Sequence, residues 1–122
     1  MDDIATKDSW KTSPMSPSRM EIPFDLRLTH DEFNRLKHGY IPEMMEDKWF
    51  IYQENEWVYF HRSWTGYCIY QIRFVPEGSQ FVCREAWVTR DANQYHNHDI
   101  EEDKRILKAI LFYRFEIGTQ PV

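Results

Sequence analysis

Only two cysteines, Cys68 and Cys83, and four glycines occur in this sequence, and no apolar run approaches the ~18 residues of a membrane span. Two thiols are too few for a disulfide-stapled scaffold. Scarce glycine goes with missing motifs: there is no phosphate-binding P-loop, no dinucleotide-binding glycine pattern, no Cys-x-x-Cys and no Gly-x-Ser-x-Gly elbow. Residues 1–20 contain no apolar signal region, so a cytoplasmic protein with reduced thiols is expected. A dense basic run is also lacking, and the formal net charge is −5. That balance argues against gripping nucleic acid through its phosphates and against anionic membrane surfaces. It leaves small anionic ligands open, because one or two arginines suffice for them.

Aromatic residues, in contrast, make up 16% of the chain and hydrophobic residues 42%. Phe, Tyr and Trp bury roughly 150–250 Å² each, so 122 residues can close one modest core. Residues 1–20, with the Ser13-Pro14 and Ser16-Pro17 steps, read as a flexible tail, or as a docking peptide carrying Trp10. Residues 21–122 read as a single α+β domain. Phe24, Leu26 and Leu28 alternate with polar residues as in a short strand. A helix over 29–38 follows, with Thr29 and Glu32 as a capping box, Leu28 and Phe33 as a staple, and Gly39 as its stop.

Residues 49–52, 57–63, 67–75 and 81–89 read as an antiparallel, aromatic-rich meander of about four to five strands. Pairing Gln53 with Glu56 and Trp64 with Tyr67 puts Tyr59, His61, Tyr70, Ile72 and Phe74 on one face. It puts Val58, Phe60, Arg62, Trp64, Gln71 and Arg73 on the other. Both faces then carry aromatic residues. A last helix over 99–117 takes Asp99 and Glu102 as a second capping box, Ile106, Ile110, Tyr113 and Ile117 as an apolar stripe, and Gly118 and Pro121 as its stop. One long helix covers only one face, so a homo-oligomer is expected to cover the other.

The string Tyr59-Phe60-His61-Arg62-Ser63-Trp64-Thr65-Gly66-Tyr67 gathers a cation, hydroxyls, an imidazole and several aromatics around one tight turn. An Arg fork suits phosphate or carboxylate, and an indole or phenol ring stacks on a base. The plainer alternative is a hairpin whose Arg packs on an aromatic ring. His61 and Ser63 stand two positions apart on a strand, which does not deliver the imidazole to the hydroxyl, so no catalytic residue is assigned. His96 and His98 offer two imidazoles where a zinc site needs three or four ligands, so no metal or cofactor is expected. Pairing Phe74 with Phe81 sets Cys83 opposite Ile72 and Cys68 opposite Trp87, out of disulfide reach. Both read as small buried hydrophobes.

Asp47-Lys48-Trp49-Phe50-Ile51-Tyr52 followed by Phe60-His61-Arg62-Ser63-Trp64-Thr65-Gly66 resembles a small bacterial domain of poorly assigned function. That domain is associated with proteins carrying macro or ADP-ribosylglycohydrolase domains. The resemblance spans about residues 47–74 and implies a companion module for ADP-ribose or NAD-type chemistry. Arg62, Ser63, Trp64 and Thr65 are the matching positions. Taken together, the expectation is a non-catalytic binder of a small anionic, nucleotide or ADP-ribose-type ligand, such as a sponge for a nucleotide signal. Its site would use Arg62, Ser63, Trp64, Thr65, Tyr67, Arg73 and Tyr95. The alternatives are a protein-interaction module, an inhibitor or immunity-type protein working through an acidic surface, and a hydrolase of ADP-ribose-like substrates.

Overall fold

The computed structural model describes residues 4–120. It is an α+β fold: one antiparallel sheet, a short helix between its second and third strands and a longer helix after the last. The strands are β1 (Arg19–Glu21), β2 (Arg27–Thr29), β3 (Trp49–Glu54), β4 (Trp57–Arg62), β5 (Cys68–Glu77) and β6 (Gln80–Thr89). Their order is β1-β6-β5-β4-β3, and β2 also pairs with β6. The continuous strand expected around Phe24 is instead two short pieces on one edge, β1 and β2. Pro23, which has no amide to donate, sits in the break. Helix α1 (His30–His38) has the expected capping box: Thr29 Oγ1 accepts from Glu32 N at 3.1 Å, and Thr29 N donates to Glu32 Oε1 at 2.9 Å.

Helix α2 (Ile100–Phe115) departs from expectation at both ends. Asp99 caps it by accepting from Glu101 N, without the box to Glu102, and the chain turns out at Glu116 in a left-handed conformation rather than at Gly118. Pro121 lies outside the described residues. The buried stripe runs through Asp103, Leu107, Ile110, Leu111 and Phe115, while Tyr113 is exposed. A buried ion pair at Asp103 fixes this rotation of the helix.

Register is where sequence and structure differ most. Glu54 pairs with Trp57, so the first loop is Asn55-Glu56, with Asn55 at the positive φ it tolerates. That shift is even and leaves the faces unchanged. In the second hairpin β4 stops at Arg62, residues 63–67 form the turn, and a bulge at Phe60/His61 sets Tyr70 opposite Phe60. A one-residue slip moves a whole strand to the other face. Tyr70, Ile72 and Phe74 therefore join Val58 and Phe60, and Gln71 and Arg73 join Tyr59 and His61. In the third hairpin Phe74 lies opposite Cys83, Ile72 opposite Ala86 and Gln71 opposite Trp87, with a second bulge at Arg73/Phe74. Both thiols are free.

Both helices pack on the same face. Phe33 and Leu36 of α1 join Leu107, Leu111 and Phe115 of α2 over Ile51, Val58, Phe60, Tyr70 and Ile72. The opposite face, with Phe50, Tyr52 and Tyr59, receives the N-terminal segment. From residue 4 on, the segment read as a tail lies against the domain, and its first three residues are outside the described range. Ala5 is buried and its amide donates to His38 O, and a 3-10 turn forms at Lys7–Ser9. Trp10 Nε1 donates to Ser63 O at 2.7 Å, Ser13 N to Gly66 O at 2.8 Å, and Arg90 N to Ser18 O at 2.8 Å. The aromatic face from which an oligomer was expected is thus partly covered from within the chain.

Candidate functional site

The turn after β4 divides the expected site residues between different jobs. Asp47 holds the turn's base together. Its carboxylate accepts from Tyr40 Oη (2.7 Å), Glu43 N (2.9 Å) and Arg114 Nη2 (3.0 Å), and its carbonyl accepts from Ser63 Oγ (2.6 Å). The Glu43 amide, then the Tyr40 hydroxyl, hold the Asp47 carboxyl below the usual carboxylate range. Ser63 is therefore buried and structural, and its hydroxyl is engaged by Asp47 rather than by His61. Thr65 Oγ1 accepts from Tyr67 N at 3.2 Å, and Tyr67 is half-buried against the core.

Arg62 reaches across the helix-covered end of the sheet, its guanidinium carbon 4.4 Å from the Trp49 ring centre and 5.7 Å from that of Tyr95. Trp64, the nearest aromatic residue after Arg62 in the turn string, is not one of these rings: it is 65% exposed, with its Nε1 donating to Met45 O at 3.0 Å. Tyr95 serves behind Arg62. Its hydroxyl meets Tyr70 Oη at 2.8 Å inside a buried network around Asp103. Asp103 accepts from Arg90 Nη2 (2.6 Å), Tyr70 Oη (3.0 Å) and Asn97 Nδ2 (2.8 Å), which satisfies a carboxylate with no exposed surface. Arg73 is remote from all of this, on the other face, between Glu56 and Glu85 at 3.0 Å each.

Arg62, Trp64 and Thr65 do share a cavity of about 340 Å³ with Met45, Glu46, Lys48 and Gln94. The charge there is two cations against one carboxylate. Arg27, Arg35, Arg73, Arg84, Arg90, Arg105 and Arg114 each pair with a carboxylate. Among the described residues, Arg62 and Arg19 are the arginines that pack only on aromatic rings. Gln94 Oε1 accepts from Thr89 Oγ1 at 3.2 Å, leaving the amide NH2 to donate. Lys48 belongs to the aromatic string that precedes the turn. Gln94 comes from a polar loop 32 positions after Arg62, and no sequence spacing announced it.

Beside this cavity, an apolar groove exposes Met44, Met45 (72% exposed) and Trp64, with Trp10 and Pro42 completing its wall. Among the described residues there is no group of three or more His, Cys, Asp or Glu side chains able to hold a metal, and no helix long and apolar enough to cross a membrane. No protein-family model matches this chain, and neither the curated proteins nor the solved structures contain a match to it.

Proposed function

We propose that this protein is a non-catalytic binder of a small anionic ligand of nucleotide or ADP-ribose type, held in the cavity between Lys48, Arg62, Trp64, Thr65 and Gln94. One observation carries this: Arg62 lines the cavity with no acceptor for its side-chain donors among the described residues, although almost every other arginine is paired. Packing on Trp49 orients the guanidinium plane without using its N–H groups, which are then available for a bidentate contact with phosphate or carboxylate. Lys48 adds a second positive charge, and the Trp64 indole, oriented by its bond to Met45 O, offers a stacking surface for a base. The volume is at the lower end of the range for ligand cavities, which suits a phosphate-ribose portion with the base reaching over Trp64.

The exposed Met44, Met45 and Trp64 favour a second reading, a protein-interaction module, because methionine-rich surfaces adapt to a partner. Calorimetry with ADP-ribose, NAD and cyclic nucleotides separates the two, alongside mass spectrometry of the denatured protein for a retained nucleotide. Lys48→Glu, at an exposed position, should weaken nucleotide binding at least tenfold with the melting temperature unchanged. Arg62→Lys should weaken it as well, since a point charge does not replace a planar fork. If no nucleotide binds, or Lys48→Glu binds as wild type does, the anion-site reading fails.

A further inference from the structure

A larger cavity, about 510 Å³, lies on the opposite face of the sheet and is independent of the Arg62 site. Its floor is a row of rings. Tyr52 stacks on Tyr59 across the β3–β4 pair, with centres 4.9 Å apart, and His61 lies 5.6 Å from Tyr52 at an interplanar angle of 14°. Its roof is the N-terminal strap from Thr12 to Met15. The strap is pinned on one side by Ser13 N to Gly66 O and on the other by the β1–β6 pairing, and Pro14 has no amide to bond downward.

His61 is 2% exposed, and its Nε2 is a buried polar side-chain atom without a hydrogen-bond partner. Its other nitrogen, Nδ1, lies 2.9 Å from Gly66 O. A carbonyl oxygen can only accept, so Nδ1 carries the proton in that bond. Burial pushes the ring towards its neutral form, and Nε2 is then a bare acceptor. Native structures rarely leave such an atom unsatisfied. The phenols of Tyr52 and Tyr59 are held protonated, first of all by burial, and their hydroxyls form no hydrogen bond among the described residues. Burial also raises the Cys68 thiol, to about 12, which keeps it protonated. The floor is therefore uncharged and supplied with one fixed acceptor and two hydroxyls. Cations occur only around it, at Lys7 and Arg19, opposed by Glu54.

We infer that this cavity binds an uncharged planar ring compound that donates an N–H or O–H to His61 Nε2 and packs against the edges of the Tyr52–Tyr59 stack. A phosphate or carboxylate on the floor would set acceptor against acceptor at Nε2. A divalent metal would find one imidazole and a protonated thiol where it needs three or four ligands. A ring of nucleobase or indole size, in contrast, satisfies the orphan acceptor and gains edge-to-face contact with the tyrosine pair.

The test titrates the full-length protein with indole and adenine as donor-bearing rings, 1-methylindole as the same ring without its donor, and benzoate as an anion. Two readouts are followed, calorimetry and the nitrogen resonances of 15N-labelled histidine. Indole or adenine should bind and shift the His61 Nε2 resonance, while 1-methylindole and benzoate bind at least tenfold more weakly. His61→Phe should lose at least tenfold in affinity. If that variant does not fold, Met15→Trp, which fills the space from the roof, should abolish binding without lowering the melting temperature. Lys48→Glu should leave ring binding unchanged, so failure here and failure of the anion site are told apart. Absence of binding by both indole and adenine at millimolar concentration overturns the inference. So does equal binding of indole and 1-methylindole.

Discussion

On one face of the sheet Val58, Phe60, Tyr70 and Ile72 are sealed beneath two helices, while on the other Tyr52, Tyr59 and His61 lie under a strap. The two faces begin with similar aromatic content and end differently because their covers differ. Helices α1 and α2 bring Phe33, Leu36, Leu107, Leu111 and Phe115 into side-chain packing, which fills space at close to crystal density. The strap brings Ala5 and a few backbone hydrogen bonds, and between its anchor points it spans the sheet without filling it. A filled face supports stability. A bridged face leaves a cavity, and His61, whose Nε2 has no partner, is among the residues that line it.

The helix-covered face should suffer most when its buried ion pair is broken. Asp103→Ala leaves Arg90 with 11% of its side chain exposed and no counter-charge, and removes an acceptor from Tyr70 and Asn97. A loss of about 3–5 kcal/mol is expected, measured by urea unfolding. A loss under 1 kcal/mol would mean that the network is not formed in solution.

Gly39→Ala should come next, at about 2–4 kcal/mol, and it strikes the junction of the two faces. Gly39 ends α1 at φ 68°, and an added Cβ would stand 2.2 Å from Ile51 O and 2.7 Å from Ala5 Cβ. Only glycine allows helix, strand β3 and strap to meet there. An unchanged melting temperature would contradict that close approach.

Trp10→Ala should cost about 1 kcal/mol through the lost bond to Ser63 O and should act on the strap alone. Amide exchange should accelerate over residues 5–18 while the helix-face strands stay protected. Equal acceleration on both faces would show that strap and core open together.

The smallest effect is a pH slope. Burial lowers the His61 pKa in the folded state, partly opposed by the Gly66 carbonyl. Below about pH 6.5 the unfolded chain takes up a proton that the folded chain resists. The contribution of His61 is thus intact at pH 8, falls as pH drops through the unfolded value, and levels off below the folded one. Urea unfolding of wild type and His61→Phe at pH 8 and pH 5 should show a smaller acid loss in the variant. Equal losses would place His61 in contact with solvent.

Local chemistry was legible in the sequence wherever neighbours along the chain decide it. Thr29 and Glu32 announced the first helix and Gly39 its end, because a cap is made by residues three apart. Alternating aromatics announced the strands. What the sequence left open was which strand residues face which way. The bulges at Phe60/His61 and Arg73/Phe74 each change register by one residue, and a bulge carries no fixed sequence mark.

Those slips decided the placement of the candidate residues. Arg73 moved to the far face between two glutamates, and Tyr70 turned inward to meet Tyr95 and Asp103. Lys48 and Gln94 came to Arg62 from separate loops. The Ser-Pro steps of the first 20 residues read as a tail because no local pattern shows that Trp10 and Ser13 find carbonyl acceptors more than fifty residues away. Sequence by itself determined the α+β class, the capped first helix and the aromatic strands, since these rest on contacts a few residues apart. Tertiary structure alone decided that both helices share one face and a strap roofs the other, because that choice rests on pairings between distant segments.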